Sequence, residues 1–382
     1  MIYSIPYLLY FFLLLLLFKV NKSLYFKPVL SVKERKRKRN GEIFAFFSFL
    51  IFYGLRGYIY TDCFQYVECF EEIDYYITTI TEINPRFEPG YIICNYIVSR
   101  FTDSFFVFQF LWTLIDILLI SSILKRECPQ YYLLAFALLI PFWTGTQINL
   151  FRNIKSILVF FWAIKFIREQ NIMKYMLTMF FAFFIHSTTL FFVPMYWLLR
   201  LDSKRIWMIV CMVSVGFYFL GLTGLFDQIN ALSKLFTARF ADKAVSYTES
   251  AEDAGLSFGF LFRLILMIIF CLKYNNFSKR NLLLLNAAII YLCCNMAFNS
   301  VVVFRDRFAS LFVLGVIIMI PYVLEELKRT KQGVLMANIL MLFITAYLYV
   351  QTNNVVATYE NVITGVTDID VVYNRNSNAL IK

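Results

Sequence analysis

The chain has little of what soluble enzymes use for chemistry. Histidine occurs once, at His186, and charged residues make up only 16% of the 382 positions, against roughly 25% in a soluble domain. One histidine excludes a paired-histidine metal centre. The eight cysteines are scattered and mostly inside apolar runs, where the residue behaves as a small hydrophobe and offers no zinc spacing. Cys63 and Cys69 could pair if their loop faces an oxidising compartment; free thiols are the simpler reading. There is no glycine-rich phosphate loop and no nucleophilic serine motif. Asp368-Ile369-Asp370 is a DxD of the type that binds metal-nucleotide sugars, but it lies in the C-terminal tail with no α/β nucleotide domain to serve, and chance explains it. No cofactor and no metal are expected.

What is abundant is apolar. Hydrophobic residues make up 60% of the chain, in runs of about 17–25 residues separated by short charged connectors, the pattern of membrane-spanning helices. The spacing predicts spans near 2–19, 42–58, 104–124, 131–147, 150–167, 174–199, 206–222, 257–273, 281–300, 308–324 and 334–350. The fold class is therefore all-α, a polytopic transmembrane bundle of about 10–12 spans, with one domain over residues 1–350 and a polar tail at 351–382. The first span resembles a signal-peptide core, but its charge follows it and no small-residue cleavage site appears, so it reads as a retained helix. The 44 Phe and 25 Tyr residues suit lipid contact and interface belts, with sugar stacking as a second use.

A net charge of +11 would suit nucleic acid if it were spread over one face. It is gathered instead in connectors: Lys33 to Arg39 (KERKRKR), Lys125-Arg126, Arg168 with Lys174, Arg200 with Lys204-Arg205, Lys279-Arg280, and Lys328-Arg329 with Lys331. That is the cytoplasmic bias of a membrane protein, with attraction to anionic head groups as a second use; no nucleic-acid partner is expected. With KERKRKR inside, the second span leaves the membrane near Arg56, and Thr61–Glu88 forms an external loop carrying Glu68, Glu71, Glu72, Asp74 and Glu82 against Arg86. Gly90 to Phe101 is too short to span and reads as an amphipathic helix on the membrane surface. A single helix over 174–199 would push the basic connector after it outside. A hairpin broken near His186-Ser187 keeps that connector inside and puts His186 near the external face. A second external loop, Thr223–Leu256, holds Asp227, Arg239, Asp242, Glu249, Glu252 and Asp253.

Charges at membrane depth cost about 2.5–3.5 kcal/mol each on insertion scales, so those that persist are functional candidates. Arg56 ends the second span and is either a snorkelling interfacial residue or a ligand for an anion. Asp62 and Tyr66 lie one helical turn apart. Glu88 precedes Pro89-Gly90-Tyr91 and either caps the surface helix or takes part in chemistry. Arg152 and Lys155 open a span at its external end, against the charge bias, and a bound anion would explain them. His186 interrupts an apolar run and is either a satisfied structural histidine or a catalytic one. Arg305 and Arg307 flank Asp306 at another external mouth, where one arginine is self-neutralised and the other is left for a ligand.

At Arg56-Gly57, Thr61-Asp62, Tyr66, Glu88-Pro89-Gly90-Tyr91, Arg152-Asn153 and Phe184-Ile185-His186-Ser187 the chain resembles the EpsG family, over about residues 40–330. It departs from that pattern at Tyr58-Ile59-Tyr60-Thr61, where the family commonly has glycine before the threonine. The resemblance implies a multi-pass protein of the bacterial inner membrane, related in role to Wzy-type O-antigen polymerases. It would join oligosaccharide repeat units carried on undecaprenyl pyrophosphate at the outer face, for capsule or exopolysaccharide, beside a flippase and a chain-length regulator. The residues suit that reaction. An acceptor hydroxyl expels a lipid diphosphate, and positive charge helps most where that leaving group gathers negative charge. With no metal-ligand cluster in the sequence, arginines are the groups left to do this, their forked donors matching phosphate oxygens. Arg56, Arg152, Arg305 and Arg307 are the candidates, with Lys155 secondary. Asp62 is the first candidate for general base, with Glu88 and His186 behind it; Tyr66 and Tyr91 would position sugars. A glycan ligase using the same donor and a transporter of the lipid-linked unit are the alternatives; the transporter would call for internal repeats and broken midplane helices.

The topology is open to direct test. Reporter fusions at Arg152 and Arg305 should both read the non-cytoplasmic side, and a cytoplasmic reading at either would end the anion argument.

Overall fold

In the computed structural model, residues 2–80, 87–221, 257–299 and 302–380 are described. Among them the chain is helical, without a strand. The helices run in order as α1 (Ile5–Phe26), α2 (Val32–Gly54), α3 (Cys63–Glu71), α4 (Ile73–Thr78), α5 (Pro89–Ser99), α6 (Phe105–Glu127), α7 (Tyr132–Asn149), α8 (Asn153–Arg168) and α9 (Ile172–Phe183). They continue with α10 (Met195–Leu198), α11 (Lys204–Gly221), α12 (Phe258–Lys273), α13 (Lys279–Ala297), α14 (Val302–Ser310), α15 (Val313–Leu327), α16 (Lys331–Thr352) and α17 (Ile369–Leu380). Glu82, Arg86 and the whole of the expected loop 223–256 lie outside the described residues, as does the side chain of Asp306.

Local chemistry sets the starts of these helices. Ser31 and Glu34 exchange side-chain and backbone bonds of 3.3 and 2.9 Å in a capping box, so α2 begins before its basic run and carries KERKRKR in its first turns. Asn171 accepts from the Lys174 amide at 3.0 Å to open α9, and Ser257 accepts from Phe260 at 3.2 Å to open α12. Pro89 stands at the first position of α5, where its missing N–H costs nothing.

Six helices among the described residues are long and apolar enough to cross a membrane: Ile5–Phe26, Phe105–Glu127, Pro129–Asn149, Phe258–Asn276, Lys279–Ala297 and Lys331–Thr352. The chain is a multi-pass membrane protein. Other expected spans differ for physical reasons. α2 extends into charge, α8 has 16 residues, and the segment near 308–324 breaks after Ser310 and restarts as α15, with 15. The segment 174–199 is a hairpin. α9 stops at Phe183, the chain turns through His186, and a 3-10 turn at Ser187–Phe192 leads into α10. The Tyr175 hydroxyl donates to the Phe192 carbonyl at 2.5 Å, and its ring lies 5.4 Å from Tyr196, so the returning arm of the hairpin runs beside α9. The acidic segment expected as a loop is largely α3 and α4. In α5, Tyr91, Ile92 and Asn95 are buried while Ile93 and Ile97 are exposed, the two-faced pattern of the expected surface helix.

Two compact units divide the chain: residues 1–196 with 344–382, and residues 197–343. In the first, α7 is buried on all sides, as befits a helix apolar all round, and α1 packs against it while α2 pairs with α6 and α8 with α9. The residues after 351 are folded back onto this unit. Tyr359 stacks on Phe52 at 4.3 Å. The Gly57 and Tyr60 amides donate to the carbonyls of Glu360 and Val356, each at 2.9 Å.

In the second unit α13 is central and touches α11, α12, α14 and α15. Its Asn286 amide donates to the Leu199 and Leu201 carbonyls at 2.8 and 2.9 Å. α13 and α15 meet at Gly315, where a Cβ would stand 2.9 Å from the Ala288 amide nitrogen and 3.1 Å from the Leu284 oxygen. Those neighbours are backbone and cannot rotate away. Gly315→Val should therefore destabilise the protein by about 1–3 kcal/mol, the usual cost of overpacking, read as a lower thermal midpoint in detergent. An unchanged midpoint would show that the two helices part freely.

Candidate functional site

Of the residues expected to act together, Tyr66, Glu88, Tyr91, Arg152 and His186 meet in the first unit, where α5, the turn before α8 and the tip of the α9 hairpin come together. Glu88 is at the centre. Its carboxylate forms an ion pair with Arg152, each side chain 18% exposed. The other oxygen accepts from the Ser187 amide and hydroxyl, each at 3.3 Å, and lies 3.7 Å from His186 Nε2. Burial pushes the Glu88 carboxyl up, but Arg152, His186 and the Ser187 amide pull it down further, so its pKa lies below the ordinary carboxylate value. Glu88 is thus a saturated anion, with its lone pairs committed.

The glycine of Glu88-Pro89-Gly90 permits this meeting. The Gly90 amide donates to the Phe184 carbonyl at 2.8 Å, and a Cβ there would stand 2.6 Å from the same oxygen. Only glycine lets α5 approach the hairpin so closely.

His186 is held in one orientation. The Thr188 amide donates to its Nδ1 at 3.2 Å, so Nδ1 is an acceptor and the neutral ring carries its proton on Nε2, toward Glu88. The Thr188 hydroxyl donates to Asn153 Oδ1 at 2.5 Å, and Asn153 also accepts from Ser156 at 2.9 Å. This chain of bonds ties the hairpin tip to the first turn of α8.

Arg152 lies on an aromatic platform. Its guanidinium carbon is 4.7 Å from the Phe87 ring centre, 5.8 Å from Tyr91 and 5.9 Å from Tyr66. The turn that carries it is fixed by two donors from other helices. Trp112 Nε1 donates to the Phe151 carbonyl at 2.9 Å, and the Tyr66 hydroxyl donates to the Asn149 carbonyl at 3.1 Å, which satisfies backbone groups that no helix pairs. Tyr91 is wholly buried and Tyr66 nearly so; both rings support the guanidinium from below. Asp62, at the start of α3, is partly exposed and one turn from Tyr66.

Arg56 turns inward instead of snorkelling. It is 4% exposed, donates to the Tyr53 carbonyl at 2.5 Å and lies 5.3 Å from the Phe151 ring. Its own carbonyl accepts from Gln109 at 2.8 Å, and its backbone bridges to Asn361. Lys155 is also buried, 2.7 Å from Asp116 and 4.2 Å from the Trp112 ring centre. Asp116 accepts from Gln147 at 2.9 Å, and Gln147 accepts from Trp143 at 2.7 Å.

Three of the named cations, Arg56, Arg152 and Lys155, therefore surround one cluster of Phe151, Tyr66 and Trp112. Two carboxylates, Glu88 and Asp116, answer two of them. Among the described residues Arg56 forms no ion pair. Arg305 and Arg307 belong to the second unit, on α14, where Arg307 is exposed and Arg305 half-buried. The residues missed in the sequence are Asp116, Gln109, Gln147 and Thr188. Asp116 had a visible signal, a lone carboxylate within an apolar run; the amides and Thr188 had none. Among the described residues no group of three or more His, Cys, Asp or Glu could hold a metal ion, and Cys63 and Cys69 are free thiols.

Because the folded-state pKa of Glu88 is the lower one, its clasp contributes stability above the ordinary carboxylate value, about pH 4.3, and loses it as pH falls through the folded value. Glu88→Gln should cost about 3 kcal/mol at neutral pH, as for other broken buried pairs, and should flatten the acid limb of a thermal-stability profile. An acid limb of wild-type steepness in the variant would show that the clasp adds nothing.

The sequence model of the EpsG family matches residues 43–363. No curated protein and no solved structure matches the chain.

Proposed function

The chain belongs to the EpsG family, a family of polysaccharide biosynthesis, and from that premise we propose that it polymerises oligosaccharide repeat units carried on undecaprenyl pyrophosphate, at the outer face of the bacterial inner membrane. The observation that carries this reading is the clasp of Glu88 on Arg152. It holds the Arg152 guanidinium in one place over aromatic rings, one of them Tyr66 of the helix that follows Asp62.

In the proposed reaction an acceptor hydroxyl attacks the anomeric carbon of the lipid-linked sugar. The new C–O bond forms as the bond to the diphosphate breaks, and the leaving diphosphate takes the electron pair. Arg152 stabilises that charge, with Arg56 behind it. Both are in place before substrate arrives, so little reorganisation is needed in the transition state. Lys155 acts at one remove, fixing α8 to α6 through Asp116. Tyr66 and Tyr91 support Arg152 instead of gripping sugar, since their rings are buried.

The acceptor's proton goes to Asp62. Glu88 is a poor base, because its carboxylate is committed to Arg152, Ser187 and His186 and its pKa is held down. His186 is poorly placed as well, with Nδ1 occupied by the Thr188 amide and Nε2 directed at Glu88. These two residues position Arg152. Asp62, one turn from Tyr66 at the start of α3, is the remaining candidate, and general bases of this kind contribute about 10²–10⁴-fold.

Purified protein supplied with a lipid-linked repeat unit should yield a ladder of products on a gel. Asp62→Asn should remain folded and membrane-inserted and give single repeat units only. Arg152→Gln should slow chain growth by about 10²–10³-fold, as for removal of one oxyanion donor. Normal chain lengths from Asp62→Asn would remove that residue from the mechanism. Accumulation of long lipid-linked chains in place of single units would point to a ligase.

A further inference from the structure

A second site lies at the far end of the helices that hold Arg56. α2 and α6 run antiparallel. Gln109, early in α6, donates to the Gly54 carbonyl at the end of α2, while Lys125, late in α6, lies 3.3 Å from Glu42. Near that second contact the pair encloses a cavity of about 370 Å³. Its walls are sorted by polarity. Arg39, Glu42, Ser121, Ser122 and Lys125 line one level, and Ile43, Phe46, Phe47 and Leu118 line the next turn toward the bundle centre. Residues three or four apart share a helix face, so the polar level and the apolar level form one continuous channel along both helices.

The apolar half opens sideways. Ile43 is 44% exposed, Phe47 53% and Leu118 55%, and in a span these surfaces face acyl chains. The polar half carries two cations and one anion. Glu42 is already shared between Lys125 and the Tyr25 hydroxyl, each at 3.3 Å, while Arg39 has no ion-pair partner among the described residues. The rest of the KERKRKR run adds positive charge nearby.

We propose that this cavity holds one anionic glycerophospholipid, its phosphate between Arg39 and Lys125 and an acyl chain along Ile43, Phe46, Phe47 and Leu118. Basic pockets between spans at the positively charged end of a membrane protein are suited to such head groups. A free phosphate would leave the apolar level unfilled, and a choline head group would set its ammonium against Arg39. The residues that line the cavity are not those that hold Arg152, so the lipid is a structural ligand and not the glycan donor. It braces α2 against α6, the two helices that fix Arg56 through Gly54 and Gln109.

The test uses the full chain in mild detergent, titrated with phosphatidylglycerol, phosphatidylcholine or inorganic phosphate, with bound lipid counted by native mass spectrometry and stability read as a thermal midpoint. Phosphatidylglycerol should be retained roughly tenfold to thirtyfold over phosphatidylcholine, from two cations near the surface, and should raise the midpoint. Arg39→Gln should weaken that preference at an unchanged lipid-free midpoint, and adding Lys125→Gln should abolish it, the double variant being compared with its own lipid-free midpoint because Lys125→Gln also breaks the pair with Glu42. Ser122→Trp, which fills the cavity, should lose bound lipid of either kind. Equal retention of the two lipids, or a preference that survives the double substitution, overturns the proposal. An equal rise with inorganic phosphate alone would make this a phosphate site and overturn it too. None of these readouts depends on polymer synthesis.

Discussion

A carboxylate with four partners organises the candidate site. Glu88 accepts from Arg152, from the amide and hydroxyl of Ser187, and faces the Nε2 proton of His186. Those partners come from two segments, Arg152 and His186-Ser187, 64 and up to 99 positions from Glu88 in the chain. Exposed ion pairs contribute little because water screens them and long side chains lose entropy. This pair is mostly buried, and the arginine is further immobilised by rings beneath it. The price of burying it is met by the hydrogen bonds that complete its shell.

The same logic explains why the cations are arranged around aromatics. A guanidinium or ammonium that leaves water needs either a carboxylate or a π face. Arg152 has both, Lys155 has Asp116 and Trp112, and Arg56 has a carbonyl and Phe151. Each cation thereby has a partner that offsets part of the water it has lost. The proposed anion would then add a counter-charge to a site that already carries its cations in fixed places, in place of gathering flexible ones around itself.

The two ends of α2 and α6 do different work. One end sets Arg56, with Gln109 and the chain after Val355 pinning its backbone. The other end carries the basic run and the cavity at Arg39 and Lys125. The C-terminal residues matter here more than their polarity suggested. Gly57, where a Cβ would lie 3.0 Å from Glu360, lets the returning chain lie flat against the Arg56 turn.

Much of this was legible in the sequence. Apolar runs, basic connectors and capping residues determine that the chain is a helical membrane bundle, because those features act locally and through the bilayer. Arg56, Glu88, Arg152 and His186 were conspicuous for the same reason: polar groups in apolar surroundings are costly and draw attention. Their division of labour was not legible. Whether Glu88 is a base or a counter-ion depends on how many donors reach it, and those donors arrive from residues 99 positions away. Asp116 pairs with Lys155, Tyr91 is buried, and the tail closes over Arg56 because of how helices pack. Composition and spacing decide which residues must be satisfied, and only the tertiary structure decides by whom, since hydrogen bonds and ion pairs act over a few ångströms that chain distance does not measure.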